Sequence, residues 1–338
     1  MKNFSIFILL LLFGTFLSCE TEIQFTGKVT EPVLVVNAVA CADSIIHASV
    51  SLSRFFLDQE ESLPDVTNAT VALFVNGTFK ENLQHVSKGN YCSHYISGQG
   101  DVIRLNVSAP DYESVWSETS IPSATSDFQI DSTTAISDTS LIINQIYDGQ
   151  YGYIGPGTPY HNDTIGITFD YTHSFEVRFS NPLHIENYYR LVIYYNVVSN
   201  GYSSYSEYKN DVEDIVFGSG KNNLDGLFEE TGYDPYNVFS DELIDGTMHT
   251  LKFKYKQNII RYGNRTYDSS SSNNYERILS IDLQSISKEY YLYLKSLKAL
   301  GLADPFMSEP VQVFTNVENG LGVFGAYTHQ LRKITLPK

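Results

Sequence analysis

The residues able to do chemistry in this chain are cysteines, carboxylates and tyrosines, and their spacing narrows what that chemistry can be. Three cysteines occur, at positions 19, 41 and 92. With Cys19 set aside, Cys41 and Cys92 form an even pair, which admits two readings: a disulfide in an exported protein, or two buried free thiols. The eight histidines are scattered without metal-ligand spacing, so no metal and no cofactor is implied. Two acidic sets could offer oxygen ligands to calcium, Asp211, Glu213 and Asp214, and Asp241, Glu242 and Asp245. Neither fits the spacing of an EF-hand loop, and a solvated acidic loop is the favoured reading. Zincin and nucleophile-elbow motifs are absent. Gly218-Ser219-Gly220-Lys221 lacks the upstream glycine of a phosphate loop, and Asn222 replaces its hydroxyl residue. A glycosidase pair is defined by the separation of two carboxylates in space, which spacing along a chain does not give. No catalytic residue is assigned, and the expectation is a non-enzymatic protein whose ligand-binding residues are unknown. The tract with Tyr188, Tyr189, Tyr194, Tyr195, Tyr202, Tyr205 and Tyr208 could stack on ligands, although tyrosine serves sheets equally well.

The N-terminus carries the most specific signal. Lys2 precedes an apolar run from Phe4 to Leu17, which is signal-peptide grammar and too short to span a bilayer comfortably. Phe16-Leu17-Ser18-Cys19 resembles a bacterial lipobox, with Phe in place of the usual Leu. This makes residues 1–18 the signal peptide, Cys19 the lipidated residue and 19–31 a tether. The competing reading is ordinary secretion with cleavage near Ser18. Two or more acyl chains hold a protein stably at a membrane, where one does so only marginally. The net charge of −17 repels phosphate backbones and anionic lipid, so nucleic acid is excluded as a partner and the lipid alone would hold the membrane.

The elements that must position these groups read as strands. Charged residues make up only 18% of the chain, and 25 Tyr and 20 Phe favour sheet. Val33 to Ala40 is a continuous apolar run, expected to be buried on both faces. Ala48–Leu52 and Val71–Val75 alternate with period two, and Asn76-Gly77 marks a hairpin. Further strands are expected over 78–83, 91–96, 103–107 and 112–116, with Trp116 as a core plug. About seven short strands predict an immunoglobulin-like or transthyretin-like sandwich over 32–122. Pro122 to Thr139, rich in Ser, Thr and Asp, reads as a boundary. A second β-rich, sandwich-like domain is expected over 123–338, with strands near 165–169, 175–179, 188–198, 248–255, 278–283, 311–315 and 331–336. Residues 199–240 read as a long loop. One amphipathic helix is expected over 287–300, capped by Ser287, with Tyr290, Tyr293, Leu294 and Leu297 on its apolar face and Gly301 after its end. Lys295 and Lys298 fall near its C-terminus, and it is expected to plug an open side of the second sandwich.

Three motifs carry a family resemblance. Pro32-Val33-Leu34-Val35-Val36-Asn37, Phe239-Ser240-Asp241-Glu242-Leu243-Ile244-Asp245-Gly246 and Phe314-Thr315-Asn316-Val317-Glu318-Asn319-Gly320-Leu321-Gly322-Val323-Phe324-Gly325-Ala326 are similar to motifs of an uncharacterised lipoprotein family of Bacteroidota, domain of unknown function 4249. The resemblance spans the mature chain and carries over no catalytic residue. It implies an outer-membrane, lipid-anchored protein facing the cell exterior. A TonB-dependent receptor would be its partner in nutrient capture. A structural or adhesive surface protein is the alternative. The glycines of the third motif are expected to serve backbone needs: a tight turn, a bulge or close approach of another strand.

Overall fold

The structure, a computed structural model, describes residues 31–55, 62–147, 160–199, 202–207, 214–217, 236–262, 265–267, 275–302 and 311–336. The signal peptide and Cys19 lie outside them, as do Asp211, Glu213, Tyr208 and Gly218–Lys221. The elements below belong to one unit, Val33–Ser53 with Glu60–Lys338.

The N-terminal third alternates short strands with tight turns: β1 Leu34–Cys41, β2 Ser44–Leu52, β3 Thr70–Val75, β4 Thr78–Asn82, β5 Gln84–Ser87, β6 Asn90–Ser97, β7 Val102–Ser108 and β8 Val115–Ser120. Asn76 and Gly77, at φ 51° and 77°, close the β3–β4 hairpin as the Asn-Gly pair predicts. Longer strands follow: β9 Ser126–Tyr147, β10 Tyr160–Ser180, β11 Tyr188–Ser199, β12 Tyr202–Glu207, β13 Val238–Ser240, β14 Met248–Tyr262, β15 Arg265–Tyr267 and β16 Tyr275–Ile286. Helix α1 spans Lys288–Leu302, and β17 spans Leu321–Thr335.

These strands build one large sheet and two smaller ones, as the mainly β, sandwich-rich reading expected. The large sheet runs β12-β11-β16-β17-β1-β2-β6-β5, with β13 also on β11. The sheets β4-β3-β7-β8 and β15-β14-β10-β9 both pack on the same face of it. The register shows why they share a face. Ala38 and Ala40 lie beside Phe324 and Ala326 in the first core. Further along β17, Gln330, Arg332 and Ile334 lie beside Leu283, Ile281 and Leu279 of the second core. Paired residues of neighbouring strands project to one side, so a single face of β17 serves both cores. Leu34, Val36, Leu73, Ile103 and Leu105 dominate the first core, and Phe175, Phe179, Tyr189, Phe239 and Ile281 the second.

Helix α1 lies on the opposite face. Leu294 is buried with Tyr188, Val238 and Ile286, flanked by Tyr290, Tyr291, Tyr293 and Tyr327. Thus it covers the outer side of β11, β16 and β17 rather than plugging a sandwich. Ser287 caps it as expected, its Oγ accepting from Tyr290 N at 3.3 Å and from Ala326 N at 3.2 Å. The helix continues to Leu302, which places Gly301 inside its last turn and leaves no basic residue there.

Several expectations are corrected. β1 is fully buried on one face, by Leu34, Val36, Ala38 and Ala40, and only partly on the other, where Val35 is buried, Val39 and Cys41 are half-buried and Asn37 is exposed. The Ser/Thr/Asp stretch after Pro122 is β9, an edge strand whose polar residues face solvent over 131–140. No strand forms over 311–315, and the strand expected at 331–336 begins ten residues earlier, inside the glycine-bearing motif. Trp116 is 37% exposed on the outer face of its sheet, because the register of β8 turns Val115, Ser117 and Thr119 inward. Cys41 and Cys92 are free. Strand β2 lies between theirs, with Val39 opposite His47 and His47 opposite Cys92. Two strand spacings, about 9.5 Å, exceed disulfide reach.

Gly322 explains the glycine-bearing motif. Its φ is 110°, and a Cβ there would stand 2.1 Å from the Val36 carbonyl oxygen. Gly325 is needed for the helix rather than a strand, since its Cβ would meet Tyr290 Cβ at 2.6 Å. Gly322→Ala is expected to destabilise the protein by more than ~3 kcal/mol. Gly77→Ala, at φ 77° with open space around it, is expected to cost only about 1 kcal/mol. Denaturant midpoints of the two variants check this contrast. For the thiols, mass spectrometry of unreduced, denatured protein is expected to find both Cys41 and Cys92 alkylated. The melting temperature should be the same with and without reductant. In the native state Cys41 should react slowly, because burial raises its pKa.

Candidate functional site: an acidic, tyrosine-lined cleft

Two connections build the site. The Asn181–Asn187 loop leads from β10 into β11, and the Asp241–Thr247 turn leads from β13 into β14. Alone, each would leave polar backbone groups without partners, and they satisfy one another. Asp241, buried at 5% exposure, accepts from Asn187 N at 2.9 Å and from Asn187 Nδ2 at 3.0 Å. Its own N–H donates to the Asn187 carbonyl at 3.0 Å. Asp245 Oδ1 accepts from His184 N at 3.0 Å. Asn181 N donates to the Thr247 carbonyl, and Tyr189 Oη donates to Asn181 Oδ1 at 2.6 Å. Ile244 pins the turn into the second core. Gly246, at φ 66°, sits against Leu183, whose Cδ1 would lie 2.3 Å from a Cβ at that position.

Between this clasp and the start of α1 opens a cleft of about 450 Å³, lined by His184, Ile185, Glu186, Tyr188, Ser240, Asp241, Glu242, Asp245 and Tyr291. Tyr188 and Tyr291 stack at 4.6 Å between ring centroids. Glu186 accepts from Tyr188 Oη and pairs with Lys288 Nζ at 3.1 Å. The Tyr188 bond, and then Lys288, hold its carboxyl below the usual range. Burial and the Glu186 carboxylate push the Tyr188 phenol well above its ordinary value, so it remains a hydrogen-bond donor throughout the physiological range. The cleft therefore offers a rigid aromatic pair beside several oriented carboxylates. Such walls suit a ligand with an apolar face and amine or hydroxyl groups.

The second acidic set is thus brought together, but two of its members are committed to the clasp. Asp241 and Asp245 hold backbone and side-chain amides, while Glu242 is exposed. Among the described residues no group of three His, Cys, Asp or Glu side chains is placed to hold a metal ion. Asp214, of the first set, caps the short 3-10 turn Ile215–Phe217 through Val216 N and binds His249 Nε2 at 3.0 Å. The tyrosine tract divides: Tyr189 lies in the second core with Tyr195 packed against it, and Tyr188 lines the cleft. No spacing pattern along the chain singles out Tyr291, Glu186 or His184. Tyr291 is sequence neighbour to a helix face already assigned to packing, and the two loop residues lie in no motif.

Asp241→Ala is expected to lower stability by about 1–3 kcal/mol, since it leaves the Asn187 N–H without its acceptor, while Asn187 Nδ2 keeps the Ile185 carbonyl at 2.7 Å. Glu242→Ala should change stability by less than about 0.5 kcal/mol. Thermal unfolding measures both. Hydrogen exchange at the Asn187 amide should quicken only in the first variant.

A search of curated proteins finds no match to this chain. A family model described as a domain of unknown function, DUF4249, matches residues 20–332. That span takes in both connections that form the cleft and all three motifs of the sequence resemblance, and the chain belongs to this family.

Proposed function

We propose that this protein is a non-enzymatic binding module, lipid-anchored at the outer membrane through Cys19 and facing the cell exterior. In this reading it assists a TonB-dependent receptor in nutrient capture. The observation that carries the binding role is the preformed cleft. Tyr188 stacks on Tyr291 of the helix and donates to Glu186 of one loop, and Asp241 of the other loop is bonded to Asn187, before any ligand arrives. Preorganised walls reduce the ordering cost of binding. Asp241 and Asp245 spend their lone pairs on positioning, which suits a holding site better than proton transfer. The anchor rests on the lipobox-like stretch, and the receptor on the family resemblance alone.

A second reading, a structural or adhesive surface protein, has one observation in its favour. β9 is a 22-residue edge strand with Ile136, Leu141 and Ile143 each more than half exposed. Long edges of this kind invite pairing with another chain.

Affinity purification from native outer membrane distinguishes the two. Co-purification of a TonB-dependent receptor, lost in Cys19→Ala because the protein leaves the membrane, is the expected result. Recovery of only its own copies or of matrix proteins would favour the adhesive reading. Membrane retention of Cys19→Ala at wild-type levels would remove the anchor.

A further inference from the structure

A second pocket lies on the outer face of the N-terminal sandwich, away from the acidic cleft and independent of it. Side chains of β3, β7 and β8 alternate outward there and fall into rows. Phe79, Phe74, Arg104 and Glu118 form one row, and Ala72, Asn106 and Trp116 the next. Ala72 is the small member, and it leaves a hollow of about 260 Å³ bounded by Thr70, Arg104, Asn106, Ser108, Ser114 and Trp116. The Arg104 guanidinium stacks on the Trp116 ring at 4.1 Å from its centroid. Its Nε donates to Asn106 Oδ1 at 2.9 Å. The stack and this bond fix the plane of the guanidinium. Among the described residues, the Arg104 side chain forms no ion pair and no other hydrogen bond. Phe79, 51% exposed and edge-on to Phe74 at 5.6 Å, continues the same face.

An oriented guanidinium with both terminal nitrogens unused is a fork for a carboxylate. The hydroxyls of Thr70, Ser108 and Ser114 and the amide of Asn106 suit a ring bearing several hydroxyls. The hollow is below the range for drug-sized ligands, and it fits about one sugar unit. The exposed aromatic surface alongside suits the apolar face of a sugar ring. Long-range repulsion from the net charge of −17 is screened beyond about 8 Å at physiological salt, which leaves Arg104 and the exposed Glu118 across from it on β8 as the local charges. We propose that this pocket binds a carboxylate-bearing sugar unit of the hexuronate class, with Arg104 on the carboxylate and Asn106 and the hydroxyls on the ring.

Trp116 is the only tryptophan in the chain, so its emission reports on this pocket directly. Titration of the full protein with glucuronate is expected to change that emission saturably. Methyl glucoside, which lacks the carboxylate, should give no response, and succinate, which lacks the ring, a weaker one. Arg104→Gln should weaken glucuronate binding by about 10- to 100-fold. If circular dichroism shows that Arg104→Gln does not fold, Asn106→Ala serves in its place, with about a tenfold loss expected. Absence of a saturable response to glucuronate overturns the proposal, as does an equal response to methyl glucoside. An equal response to succinate reduces the pocket to a carboxylate hole and overturns the sugar assignment. Full affinity in a folded Arg104→Gln removes the role of the arginine and, with it, the proposal.

Discussion

The parallel pairing of β1 with β17 is the interaction on which the rest of the structure depends. It joins the first strand of the unit to the last, from Val35 beside Leu321 to Cys41 beside Tyr327. Without it the large sheet would separate into two pieces, and each core would lose part of its floor. The segment before β17 strengthens the closure. Asn316 accepts from Phe324 N and donates to the Phe324 carbonyl, both at 2.9 Å, while its own carbonyl accepts from Ser117 Oγ at 2.8 Å. Glu318 and Trp116 exchange backbone bonds. One short stretch therefore ties the edge of the β4-β3-β7-β8 sheet to the large sheet. Closing a loop of nearly the whole chain carries an entropic cost that grows slowly with length, so a long closure is tolerable once the contacts are good.

The connection between β8 and β9 is stitched to the same strand. Thr328 Oγ1 donates to the Pro122 carbonyl at 2.6 Å, and Gln330 Nε2 to the Thr125 carbonyl at 2.9 Å. Arg332 sits over the Phe128 ring at 5.2 Å. Both sandwiches are therefore registered against β17. The acidic cleft inherits this rigidity, since β11 and α1, which carry Tyr188 and Tyr291, rest on β16 and β17. The second family motif has a comparable role at smaller scale. Phe239 and Ile244 fill the core, Asp241 and Asp245 satisfy a facing loop, and Gly246 allows that loop to approach. Motifs that read as candidate ligand sets along the chain are, in space, the supports of a cleft.

The class of fold and most of its local pieces follow from residue patterns along the chain. Period-two alternation, aromatic richness and Asn76-Gly77 specify short antiparallel strands because side-chain direction and turn sterics are local properties. Ser287 and the Tyr290–Leu297 spacing specify the helix for the same reason. The partner of each element is set by contacts between segments distant in the chain. Gly322 and Gly325 argue locally against a strand, yet they are the positions where Val36 and Tyr290 must come close, so residues 321–335 pair after all. The polar run after Pro122 becomes a strand because β10 supplies its hydrogen bonds, not because of its propensity. Cys41 and Cys92 stay apart because β2 enters between them. The cleft was legible only in part. Its acidic residues stood out as a cluster, but the loop that faces them lies 54 residues away in the chain, and no local pattern encodes that meeting.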